Sequence, residues 1–308
     1  MLRANRVSNG RFFYGWVIVG VMFVVGLVSI AMGTLNLGLF INPMSGDLGL
    51  GRADFGWAMS ARQLAAAAVS PALGWLIDRY GSRGLLALAG GITGAAMVSL
   101  AFISQSWQLI VLFAIMGVAQ LAGPMALLTS VPVAKWFVRR RARAISIAAI
   151  GGPIGGVILM PLSQVLIDDF GWRVAWIILG IAGAVIIIPL ALMLVRRQPE
   201  DMGLMPDGLP RRVGLPRTNI GSSGAVDKDQ DDEISWTLNE AIRSPRFWQL
   251  VLAFSVMAFA MSTVALHRIP QFVDRGIDPL MVSYAISLEA GLAGVVTVAV
   301  GLVAHRVP

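Results

Sequence analysis

The sequence predicts an all-α membrane protein, a helical bundle holding eight transmembrane helices of an expected twelve. Three observations predict it. The chain is 56% hydrophobic and only 13% charged, with a mean hydropathy of +0.75; a soluble domain carries about 25% charge. Eight apolar runs each reach the about 20 residues needed to cross roughly 30 Å of hydrocarbon. Basic residues collect on alternate sides of those runs.

The runs cover 15–40, 55–77, 84–103, 108–136, 144–167, 174–195, 247–269 and 281–304. The first is too long for a signal-peptide core and has no small-residue cleavage site, so it reads as a retained helix. Trp16, Trp57, Trp107, Trp136, Trp172 and Trp248 stand at run ends, where an aromatic belt would place them. With the N-terminus inside, the inner segments hold 19 of the 24 Lys and Arg residues. The outer segments hold four, Arg52, Arg173, Arg268 and Arg275. The remaining one is Arg62, well inside the second run. This bias predicts a cytoplasmic N-terminus in a cytoplasmic or plasma membrane. It also accounts for the net charge of +7 without a nucleic-acid partner.

A polar segment divides the chain into a six-helix domain (1–195), a cytoplasmic linker (196–246) and two further helices (247–308). The middle of the linker is rich in Gly, Pro and charge and predicts flexibility. Thr237 and Glu240 have capping-box spacing for a short interfacial helix, and Ser244-Pro245 read as the start of the seventh span. A shift of 227 positions aligns residues 43–81 with 270–308 without a gap, and ten of the 39 pairs are identical. Asp47/Asp274, Gly49/Gly276, Ser60/Ser287, Gly74/Gly301 and Arg79/Arg306 are among them. Two membrane halves on one plan predict a substrate site between them. The second copy stops after two helices where the first continues through four more, so four further spans are expected.

GWLIDRYGSR, Gly74 to Arg83, lies between the second and third spans. Gly74 would permit close helix packing, Asp78 and Arg79 a cytoplasmic charge clasp, and Gly81 a tight turn. This stretch resembles the loop motif G-x-x-x-D-R-x-G-x-R of the major facilitator superfamily, which implies a major-facilitator-type bundle. FFYGWVIVG, KWFVRRRARA and RRQPEDMGLMPDG resemble the monocarboxylate-porter and oxalate–formate-antiporter branch. Three departures stand out. Phe113 occupies the helix-4 position where the proton-antiporter pattern has arginine. GGPIGG in helix 5 falls one residue short of the exporter motif. His305 replaces the second-half counterpart of Asp78. In the family the first-half Asp engages a late helix of the other half, so Asp78 is expected to be unpaired in this chain.

An arginine in mid-bilayer costs roughly 2.5–3.5 kcal/mol, so Arg62 needs a reason. Its repeat counterpart is Glu289. Arg62, Ala66, Ser70 and Gly74 fall four apart on one helix face, and Glu289, Ala293, Thr297 and Gly301 do the same. Three readings stay open: a latch to a carboxylate such as Glu289, an anion-binding guanidinium with Glu289 as the proton-coupling group, or snorkelling to the outer interface. Asn36, Thr34, Gln120 beside Gly123-Pro124, and His267 sit on the spans that the resemblance assigns to the cavity. They read either as helix–helix hydrogen-bonding residues or as substrate ligands. Gly151, Gly152, Pro153, Gly155 and Gly156 predict close packing and bending of helix 5. The Lys135–Arg143 cluster with Trp136 and Phe137 predicts an anionic-lipid anchor.

No phosphate-binding glycine loop followed by Lys-Ser/Thr argues for an ATP-driven pump. His267 and His305 make no metal site, there is no cysteine, and no cofactor or enzymatic chemistry is indicated. The expectation is a monomeric secondary transporter moving a small organic anion such as a monocarboxylate by alternating access, coupled to a proton or counter-substrate. The alternatives are export of a neutral or cationic compound and a non-transporting membrane protein.

Overall fold

A computed structural model describes residues 13–32, 34–119, 127–138, 140–205, 207 and 238–303. Gln120, Gly123, Pro124, Thr237 and His305 lie outside the described residues. All regular elements among them are helical: α1 (Gly15–Ser29), α2 (Thr34–Leu48), α3 (Arg52–Tyr80), α4 (Ser82–Leu100), α5 (Ser106–Ala119), α6 (Leu127–Trp136), α7 (Arg141–Ala149), α8 (Gly151–Leu194), α9 (Leu238–Arg243), α10 (Pro245–Asp274) and α11 (Pro279–Val303). By length and composition, Ser82–Leu100, Arg141–Leu194 and Pro279–Thr297 can cross a membrane. Gly15–Ser29, Ser106–Ala119 and Pro245–Met261 are shorter apolar helices.

The structure divides into two compact units, residues 1–209 with 265–308, and residues 210–264. In the smaller unit α9 precedes the part of α10 up to Val264. Phe247 donates its backbone N–H to the Ser244 carbonyl at 3.1 Å, and Pro245 occupies the first helical position, which needs no donor. The Trp248 indole closes on the Ile242 carbonyl at 2.8 Å.

In the larger unit the fifth and sixth runs are one helical segment, α8, interrupted only at Gly171 with φ +79°. That left-handed residue suits glycine and turns the chain without a loop. The first limb of α8 meets α1 at backbone level. A methyl group on Gly151 would strike the Phe23 carbonyl, and one on Gly155 the Leu27 carbonyl. The same limb meets α11 on another side: a methyl on Gly156 would lie 2.8 Å from Ala290 Cβ, and one on Gly294 would lie 2.9 Å from Pro153 Cβ. Ser287 donates to the Gly156 carbonyl at 3.3 Å. Gly152 is the exception in this motif, with nothing within 4 Å of its would-be methyl. Small residues thus let helices approach where lipid supplies no hydrophobic drive for association. Phe40 of α2 stacks on Trp176 of α8 with ring centroids 4.0 Å apart, an arrangement worth about 0.5–1.5 kcal/mol beyond area.

The internal repeat is visible as geometry. Gly49 and Gly276 both adopt positive φ just past a helix end, and Pro43 and Pro270 both lie inside helices. Ser70 and Thr297 each donate to the carbonyl four residues earlier, Ala66 and Ala293, at 2.7 and 2.8 Å. The belt expectation holds for exposed Trp57, Trp107 and Trp248, but Trp136 and Trp172 are buried. Trp136 and Phe137 pack with Phe13, Tyr14 and Trp16 at the N-terminal end of α1. They are therefore core rather than part of a lipid anchor.

Candidate transport site

Arg62 sits in α3 with 6% of its surface exposed. It does not reach an exposed interface, which removes the snorkelling reading. Its backbone is pressed against α5: a methyl on Gly117 would collide with the Arg62 carbonyl. Gly117 is what brings α5 to the level of this arginine. Ala66 and Ser70, one and two turns on, are half-buried. Gly74 has no atom within 4 Å of a would-be methyl, so its expected role in close packing is corrected.

Glu289 lies at the matching position of α11 in a different environment. Its side chain is 60% exposed, and it forms an ion pair with Arg268 of α10. Assigned by sequence to an outer segment, Arg268 instead lies inside α10, which continues to Asp274, and its side chain is only 22% exposed. The Arg268 Nε is buried without a hydrogen-bond partner among the described residues. The face of α11 that packs on α8 carries Ser287, Ala290 and Gly294, so the small-residue contact runs beside the Glu289–Ala293 line and not along it.

Asn36 is 1% exposed. Its Nδ2 donates to the Ala31 carbonyl at 2.8 Å across the short 3-10 turn Ile30–Met32, while its Oδ1 has no partner among the described residues. His267 is exposed. Sequence reading missed Arg268 and the Gln164–Asp168 hydrogen bond of 2.8 Å in α8, where Gln164 is buried. Four-residue spacing on a helix was the available signal for the second.

Near the α3–α4 turn Asp78 is not unpaired: Lys135 donates to it at 2.9 Å, and Arg197 donates to its backbone carbonyl at 2.8 Å. Arg197 also packs over Gly81, which has φ +80°. The Arg79 guanidinium lies 5.1 Å from the Trp75 ring centroid and 5.6 Å from that of Tyr80, and Arg83 is exposed. Asp207 accepts backbone N–H groups of Val138 at 3.0 Å and Arg140 at 3.3 Å, tying the segment after α8 to the basic loop before α7. Replacing Asp207 with Ala is expected to free that loop. Limited trypsin digestion in detergent should cleave at residues 139–143 severalfold faster than in the parent, with mass spectrometry locating the cut.

The two repeat aspartates take different partners. Asp47 pairs with Arg173 and accepts the Trp172 indole N–H at 3.2 Å, holding α2 to the Gly171 turn; Asp274 pairs with Arg52. The hydrogen bond from Arg173 holds the Asp47 carboxyl below its ordinary 3.8, against an opposing contribution from desolvation. A lowered carboxylate pKa stabilises the fold above the unfolded value and loses that contribution as pH falls through the folded one. Asp47→Asn is therefore expected to lower the melting temperature at neutral pH, with the gap from the parent closing as pH drops below 3.8. Detergent melts across pH read this directly.

Comparison with known proteins places this architecture. Monocarboxylate transporter 3 of Mus musculus is 29% identical over 171 residues, 54% of this chain and 34% of that protein. Monocarboxylate transporter 1 of Homo sapiens is 27% identical over 168 residues, 54% of this chain and 33% of that one. The chain thus spans about a third of the length of the curated relatives it matches. In fold it resembles a bacterial homolog of the human lysosomal transporter Spinster, with a TM-score of 0.65 at 16% identity over 92% of this chain and 61% of the other. The sequence profile described as Major Facilitator Superfamily matches residues 21–308, and the chain belongs to that family.

Proposed function

We propose that the protein is a multi-pass secondary transporter, not an enzyme, that moves a small organic anion by alternating access. Arg62 recruits the anion, and Glu289 binds the coupling proton. The observation that carries this reading is the burial of an arginine, a side chain that never loses its charge, inside an apolar bundle of this family. A guanidinium matches a carboxylate through two parallel hydrogen bonds, which adds orientation to attraction. Asn36, with an unfilled acceptor one turn from the Phe40–Trp176 stack, supplies a second polar contact; Gln120 and His267 complete the candidate set. The eight-span count, the N-terminus in the cytoplasm and the division into a six-helix domain, a linker and a second domain belong to the same proposal.

Monocarboxylate transporters among the relatives support a carboxylate as first choice of cargo. The rival is export of a neutral or cationic compound with Arg62 purely structural, favoured by the fit of the Arg62 backbone to Gly117. Uptake of labelled acetate, glycerol and tetraethylammonium by proteoliposomes holding the full-length protein separates the two. Saturable uptake of acetate alone, enhanced by an inward proton gradient, is the expected result. Saturable movement of either other probe without acetate uptake overturns the anion reading.

A further inference from the structure

We propose that Ile269 seated on Gly38 is a gate across the transport pathway, and that the Arg52–Asp274 ion pair latches it shut. This rests on the transport reading above. The contact joins the two repeats, with Gly38 in α2 and Ile269 in α10. Ile269 is 2% exposed and fills the place of the side chain that Gly38 lacks. A methyl on Gly38 would lie 2.8 Å from its Cδ1, 3.2 Å from its Cβ and 3.3 Å from its Cγ1. Turning the tip of the side chain away therefore gives no relief, and the fit needs glycine. Pro270 follows at once. A proline removes one helical hydrogen bond, so α10 bends most readily beside this plug.

The latch stands where α10 finishes and α3 begins. Arg52 is the first residue of α3, and Asp274, five residues after Ile269, is the last of α10. A helix N-terminus disfavours a cation and a C-terminus an anion, so each charge is misplaced on its own helix and corrected by the other. Asp47 and Arg173 repeat the pattern within the first half, near the end of α2 and just past the Gly171 turn. That pair is reinforced: Trp172 also donates to Asp47, and the Arg173 guanidinium lies 4.2 Å from the Trp172 ring centroid. The pair between the repeats has no such reinforcement among the described residues, and both its side chains are nearly half exposed. Water takes up both charges as they part, so a pair of this kind is worth little and releases easily. One aspartate holds a fixed joint; its repeat counterpart holds one that can open.

The test uses the full-length protein in proteoliposomes. Ile269→Cys places a thiol that a water-soluble maleimide reaches only when the plug leaves its seat, and mass spectrometry of the peptide holding residue 269 reads the alkylation rate. Adding Arg52→Ala is expected to raise that rate about two- to fivefold, the scale of an exposed ion pair. Saturating acetate is expected to change it severalfold, because a gate alternates where a packing contact stays still. Gly38→Ala, in the parent background, is expected to cut uptake of labelled acetate about tenfold, within the usual cost of overpacking, and Ile269→Ala to restore it in the double variant. An alkylation rate unmoved by Arg52→Ala, or unmoved by acetate that the parent transports, overturns the inference. Failure of Ile269→Ala to rescue Gly38→Ala does the same. A parent that takes up no acetate overturns the anion reading instead, and the Arg52→Ala comparison then decides the latch by itself. Size-exclusion profiles of every variant establish that the bundle is intact.

Discussion

Arg62→Gln is expected to reduce carboxylate uptake by the full-length protein to the level of empty liposomes, with insertion and purification unchanged. The two halves of that result have separate causes. Removing a charge from the bilayer interior relieves a penalty of roughly 2.5–3.5 kcal/mol, so the variant inserts at least as readily. Gln is long enough to fill the space beside α5 and keeps a donor, so the α3–α5 contact at Gly117 survives. What it lacks, under the proposed function, is the fixed charge and the paired donors suited to a carboxylate. Arg62→Lys should also fail, because lysine restores the charge without the planar fork. Uptake by Arg62→Gln at the parental rate would remove this residue from the transport pathway.

Gly151→Ala and Gly155→Ala are expected to destabilise the bundle severely, while Gly152→Ala leaves it intact. All three substitutions add one methyl group within a single turn of α8. At Gly151 and Gly155 that methyl meets the Phe23 and Leu27 carbonyls of α1, whereas at Gly152 it meets nothing within 4 Å. Backbone cannot swing aside as a side chain can, so the cost should exceed the about 1–3 kcal/mol usual for overpacking. Fluorescence-detected size-exclusion chromatography after heating gives the comparison. Equal melting of the three variants would show that α1 and α8 do not meet as described.

Much of this architecture is legible in the chain because apolar length, glycine and proline act locally. The start of α10 at Pro245 and the tight turn at Gly81 follow from their own residues. So do the close approaches of Gly151, Gly155 and Gly156. Boundaries were less legible where polar residues continue a helix beyond the hydrocarbon. Hydropathy stops at Ile269, yet α10 runs on to Asp274, so Arg268, counted with the outer segment at the edge of the run, lies more than a turn inside the helix.

Partner choice was the least legible feature, because it depends on which helices meet. The residue pairing with Asp78 is Lys135, 57 positions away, and Trp136 is buried by aromatics from α1 that no local pattern announces. The alignment of Arg62 with Glu289 predicted a common position but not a common environment. One is covered by α5 and the other faces outward beside Arg268. Periodicity fixes depth along a helix; neighbours fix what a side chain experiences there.

The two sides of α8's first limb differ in a way that bears on how such a bundle can deform. Against α1 the fit is toothed, with bare backbone seated under the Phe23 and Leu27 carbonyls, so sideways slip would force main chain through main chain. Against α11 the close atoms are side-chain carbons, Ala290 Cβ at Gly156 and Pro153 Cβ at Gly294, beside the 3.3 Å hydroxyl bond of Ser287. Shear of this limb should therefore cost less along α11, where side chains can give, than along α1, where main chain is keyed to main chain.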